Sequence, residues 1–172
     1  MEITRSRNKL ADIALILLSG YVLIGGITSG TYLIMIVLNG LLHDWTGWLS
    51  FFLCFVISLA TIVNNFYILK LRNRISEKHL AFNIYVCLLQ IFSIAIDGFQ
   101  FKYKQGLGIV TYWKVMTGTD QSFFGCRIEK FDFNFTFKFN NSNFFLIGVD
   151  FLILFLFLLF LWIYRTYKSQ LV

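Results

Sequence analysis

Residues 144–164 read FFLIGVDFLILFLFLLFLWIY, 21 residues with one charge, Asp150. A hydrocarbon core about 30 Å thick asks about 20 such residues of a crossing helix. Trp162, Tyr164 and Arg165 close the run, the amphipathic rings and cation that suit a membrane–water boundary. Read as a helix, this stretch makes the chain an integral membrane protein.

Three further apolar runs extend that reading: residues 11–38, 48–69 and 80–96. The first follows Arg5, Arg7 and Lys9 and is far longer than the roughly 7–15 apolar residues of a cleaved leader, so it reads as an uncleaved anchor. The second begins behind Trp45 and Trp48, and the third is the shortest and most polar. The composition agrees, at 58% hydrophobic and 14% charged, whereas soluble domains run near 45–50% and 25%. Proline is absent and no linker is visible, so residues 1–172 read as one domain. The predicted fold class is membrane all-α: four transmembrane helices, with a small antiparallel β segment between helices 3 and 4.

Orientation follows from the loops. Residues 70–79 carry Lys70, Arg72, Arg74 and Lys78, while residues 39–47 carry no Lys or Arg. Basic loops stay cytoplasmic, which predicts an inner (plasma) membrane protein with both termini in the cytoplasm. The net charge of +6 is explained by these flanks and does not call for direct nucleic-acid binding. Lys70, Arg72, Arg74 and Lys78 suit anionic headgroups, and they also form the surface where a cytoplasmic effector protein would dock.

Residues 98–143, expected on the non-cytoplasmic side, alternate with period two. Phe99, Phe101 and Tyr103 interleave with Gln100, Lys102 and Lys104, and Phe131, Phe133, Phe135, Phe137 and Phe139 with polar residues, the pattern of strands with one apolar face. Ile109–Met116 reads as a strand between turns at 105–108 and 117–120, and Phe123–Ile128 as a shorter one. A sheet this small leaves its phenylalanines short of cover, which predicts a homo-oligomer with those five as contacts. The sequons at Asn134 and Asn140 read as chance matches in an Asn-rich stretch.

Within the runs, polar residues carry the interest, because each costs free energy in lipid unless paired. Asn83, Cys87, Gln90, Ser93 and Asp97 form one stripe along the third run. It reads first as interhelical hydrogen-bonding and second as the lining of a hydrated path. Gly25, Gly26, Ser29 and Gly30 are small residues four apart, suited to close helix packing. Asp97 and Asp150 near the same end of two runs raise the carboxylate pair of an aspartyl protease, but the asparagine-containing motifs of four-span signal peptidases are missing. The four-span disulfide-forming enzymes would need cysteine pairs, and Cys54, Cys87 and Cys126 are spread apart. His43 and His79 fall on opposite sides, so no metal site, no cofactor and no enzymatic activity are expected.

As a layout, with short cytoplasmic ends, a basic loop between runs two and three, and a sizeable segment before run four, the chain resembles KwaA-type membrane subunits of Kiwa anti-phage defence. Pore-forming-colicin immunity proteins are similar in size and topology. The first resemblance implies an oligomeric sensor of envelope disturbance that engages a cytoplasmic, DNA-binding partner. The leading expectation is thus a non-enzymatic, oligomeric membrane sensor or scaffold coupling an envelope event to an effector. An ion channel or pore subunit, and an immunity-type protein binding a toxin in the membrane, stand as alternatives.

Overall fold

The computed structural model describes residues 9–40, 42, 45–71, 75–96, 99–116, 121–137 and 144–169, with backbone alone at 46, 99–100, 130–137, 144 and 169. In chain order the elements are α1 (Lys9–Leu38), α2 (Trp45–Lys70), α3 (Glu77–Ile91), β1 (Phe92–Ile96), β2 (Phe99–Met116), β3 (Ser122–Phe137), β4 (Phe144–Asp150) and α4 (Phe151–Ser169). The described chain is mostly helical, with one small antiparallel sheet. Three helices, α1, α2 and α4, are long and apolar enough to cross a membrane. At 15 residues, or about 22 Å, α3 is shorter than they are.

The helices bury polar side chains beside apolar ones and expose large apolar ones, unlike those of a water-soluble bundle. Ser19, Ser29, Ser58, Thr61, Asn64, Asn65 and Asn83 lie inside, while Leu17, Ile24, Phe52, Phe66, Phe155 and Leu158 point outward. Small and polar residues at contacts with apolar ones outside suit a solvent as oily as leucine. Where α1 crosses α2, Gly26 sits against Ser58, Thr61 and Ile62, and Ser29 shares a hydrogen bond with Ser58 at 3.0 Å. A second core of Leu15, Leu18, Ile68, Leu80, Ile153 and Phe160 joins all four helices.

Two of the apolar runs change conformation midway, so helices 3 and 4 do not fill the runs predicted for them. The run 80–96 is helical only to Ile91, and Phe92–Ile96 is β1. The run 144–164 opens with seven residues of β4 before α4 begins at Phe151. The reason is tertiary: β1 and β4 pair with each other and both with β2, an option that hydrophobicity along the chain does not reveal. Gly148 fits between Val110 and Ser93, where a side chain would press on both. Asp150 ends the strand by accepting from the backbone N–H groups of Leu152 and Ile153 at 3.0 and 3.2 Å, which makes it the N-cap of α4.

The sheet order is β1-β4-β2-β3, with an additional β1–β2 pairing that closes a ring of three strands. That closure is available because β2 runs 18 residues and shifts register between Lys104 and Leu107. The turn predicted at 105–108 is therefore a bulged corner inside one strand. Gly106 supplies it with φ +105, a backbone that side chains rarely adopt. Likewise the strands predicted at 123–128 and 131–139 are a single strand, β3, ending at Phe137. Val110 pairs with Asp150 at the start of α4, and Met116 pairs with Phe144 at the far end of β4. Phe101 pairs with Ile94 and Phe99 with Ile96, so both arms of β2 lead away from α3 and α4 and the corner between them lies closest to those two, while Phe101 and Tyr103 on the first arm pack against Leu33 and Cys54 of α1 and α2.

At the other end of the helices, Tyr167 donates to Asp12 and Tyr164 to Glu77 (3.5 Å). The start of α1, the start of α3 and the end of α4 thus meet on one side. The sheet lies on the other.

Candidate functional site

The corner of β2, residues 103–108, sits among all four helices. Its approach is tight on the α1 side: a side chain at Gly25 would meet the Gln105 carbonyl at 3.1 Å, and one at Gly106 would meet the Tyr21 hydroxyl at 3.0 Å. Tyr21 donates to the Leu107 carbonyl at 2.9 Å. From α3, the Gln90 side-chain oxygen accepts from the Gln105 backbone N–H at 2.7 Å. From α2, Ser58 accepts from the Gln105 amide at 3.2 Å, and the same amide donates to the Tyr103 hydroxyl.

Beside these amides lies a charge cluster. The Lys104 side chain is 0% exposed and its ammonium lies 2.7 Å from both Glu129 Oε2 and Asp150 Oδ2. Glu129 Oε1 also accepts from Lys102 at 2.9 Å and from Arg127. Asp150 works with both oxygens. Oδ1 caps α4 and accepts from Ile109 N–H at 3.2 Å, while Oδ2 faces Lys104. Gly108 makes room for this pairing, since a Cβ there would stand 2.0 Å from Asp150 Oδ2 and 2.6 Å from Lys104 Nζ. Burial pushes the Glu129 carboxyl up, but the Lys104 and Lys102 ammonium groups outweigh it and hold the carboxyl down at about 2.

A second polar group lies nearer the basic end. Asn83 on α3 exchanges hydrogen bonds with Asn65 (2.8 and 3.1 Å) and accepts from Asn64 (3.0 Å), both on α2. Asn64 also bonds the His79 ring at 2.7 Å.

The predicted stripe of the third run therefore divides. Asn83, Cys87 and Gln90 lie on the buried face of α3, Ser93 is buried in β1, and Asp97 lies outside the described residues. Its two amides are spent on α2 and β2. Gly25, Gly26 and Ser29 all meet elements of the same chain, whereas a side chain added at Gly30 would meet nothing within 4 Å among the described residues. Lys70 and Lys78 are exposed at the basic end, with Lys70 over the Phe66 ring, and Arg72 and Arg74 lie outside the described residues. Phe131, Phe133, Phe135 and Phe137 fall on β3, described by backbone alone, and Phe139 lies outside it. Asp150 is brought to Lys104 as a helix cap and counter-ion.

Sequence reasoning missed Lys104, Gln105, Glu129 and Ser58 as partners. The one local signal was Asp150 itself, a capping residue set before an apolar helix. Lys104 and Glu129 are 25 residues apart, and no spacing rule joins them. Among the described residues no group of three or more His, Cys, Asp and Glu is placed to hold a metal ion. Comparisons with protein-family models, with curated proteins and with solved structures find no match to this chain.

Proposed function

We propose that this chain is a non-enzymatic, oligomeric membrane sensor or scaffold that couples an event at its sheet to its basic end. One observation carries the reading: α3 runs into β1 at Ile91–Phe92 and β4 runs into α4 at Asp150–Phe151, with no loop at either junction. The sheet is thus a direct extension of two helices whose other ends meet at Glu77 and Tyr164. The corner of β2 ties it to the remaining two through Gly25, Tyr21 and Ser58. A displacement of the sheet has rigid elements to travel along and two ends to join, the physical requirement for coupling.

On this reading the chain crosses the membrane four times, and two of the crossings are composite. α3 and α4, with 15 and 19 residues, reach about 22 and 28 Å, and β1 and β4 supply the rest of a roughly 30 Å core. β1 and β4 each pair with two strands of the ring, which serves the demand of hydrocarbon for paired backbone groups. The basic residues Lys70, Arg72, Arg74 and Lys78 then mark the cytoplasmic end, where an effector of acidic surface would dock, in the manner the KwaA-type layout implies.

The test is a distance measurement across the basic end. Spin labels at Ser76 and Lys168 are compared between wild type and Gln90→Leu, which removes the acceptor for Gln105 from the corner. Coupling predicts a shifted or broadened distance distribution at the labels. An unchanged distribution, with the protein still folded, rejects coupling.

A further inference from the structure

Between α2, α3 and the rising arm of β2 lies a cavity of about 120 Å³ whose exposed wall is apolar, built from Leu53, Cys54, Ile57, Leu89, Phe101 and Tyr103, with Ser50 and Lys102 beside them. Two of the polar tips near it are turned elsewhere: the Lys102 ammonium goes to Glu129 at 2.9 Å and the Tyr103 hydroxyl takes a bond from Gln105. Two of its lining residues, Leu53 and Leu89, are exposed, 44% and 43%, on the outer surface of the helices. The cavity therefore opens sideways, onto the same apolar surface that Phe52, Val56 and Leu88 present.

Its height selects the occupant. Cys54 and Ile57 stand 16 and 13 residues before Lys70 on α2, about 24 and 20 Å above the basic end. That is inside a hydrocarbon core about 30 Å thick. A hollow with an apolar wall has little to hold water with, and a run of methylenes meets such a wall with dispersion contacts. We infer that it is a binding site for one acyl chain of a bilayer phospholipid, which enters from the side between Leu53 and Leu89. The inference rests on the membrane reading above. An acyl chain lodged there would touch α2, α3 and β2 together, so lipid composition would act on the junction of sheet and helices.

The test uses the full chain released from phospholipid nanodiscs into a mass spectrometer under conditions that strip loosely held lipid. Wild type should retain one phospholipid per chain. Leu89→Trp, which blocks the mouth from an exposed position, and Cys54→Phe, which fills the wall, should each lower the retained fraction by about tenfold or more, the equivalent of about 1.4 kcal/mol. Leu158→Trp, exposed on α4 away from the cavity lining, should leave it unchanged. No retained lipid in wild type, or equal retention in Leu89→Trp, overturns the site. Carbonate extraction of membranes reads the underlying assumption separately. Chain released by carbonate rejects the membrane reading, whereas chain that resists carbonate but shows no cavity-dependent lipid rejects only the acyl site.

Discussion

Lys104 is the residue on which the site turns. A fully buried ammonium between two carboxylates is tolerated because each charge is paired, and removing one partner leaves the others uncompensated. Lys104→Met should therefore cost about 3–5 kcal/mol, read as a lower midpoint of thermal unfolding in mild detergent, and pairing it with Glu129→Gln should restore part of the loss. Recovery from the double change separates charge pairing from simple packing. Glu129 adds a pH dependence of known sign. Its carboxyl lies at about 2 in the folded chain against 4.5 ordinarily, so it stabilises the fold above about pH 4.5 and that contribution fades as pH falls toward 2. Unfolding midpoints measured across that window should drop for wild type and drop less for Glu129→Gln.

At the scale of elements, the strand-to-helix switches matter most. The 144–164 run contains no proline and no polar break except Asp150, and short apolar stretches are ambiguous between strand and helix. β4 is a strand because β1 and β2 flank it, and α4 starts where Asp150 caps it. Two substitutions divide the roles of that side chain. Asp150→Asn keeps an oxygen for the Leu152 and Ile153 N–H groups and loses the charge facing Lys104, whereas Asp150→Ala loses both. Asp150→Ala should be the less stable by about 1 kcal/mol, the usual worth of a cap, in denaturant unfolding followed by circular dichroism. Equal losses would show that the cap contributes nothing. The period-two pattern was legible in Phe99–Lys104 and in 131–137, but the corner at Gly106 reads as a turn until the pairing of β2 with β3 on both sides of it is seen.

For the whole molecule, topology and assembly are the properties to measure. Cys126 is exposed and Cys54 and Cys87 are buried, which makes labelling simple. A thiol reagent that cannot cross the membrane should modify Cys126 in intact cells, whereas Ser76→Cys in a Cys126→Ser background should react only after permeabilisation; reversed labelling would invert the orientation. Mass in several mild detergents should be a multiple of 20.1 kDa, and a monomer throughout would remove the oligomeric part of the proposal. Sequence by itself determined that the chain is rich in long apolar helices, that Lys70, Arg72, Arg74 and Lys78 cluster in one short stretch, that residues 99–104, 109–116, 123–128 and 131–137 are extended, and that Asn83, Cys87 and Gln90 share a face, because each of these is a matter of composition or period along the chain. Only the tertiary structure decided that two apolar runs are part strand, that β2 bends into the helices, and that Lys104 meets Glu129 and Asp150, because hydrogen-bond partners and counter-ions outside each run choose between conformations that local hydrophobicity leaves equal.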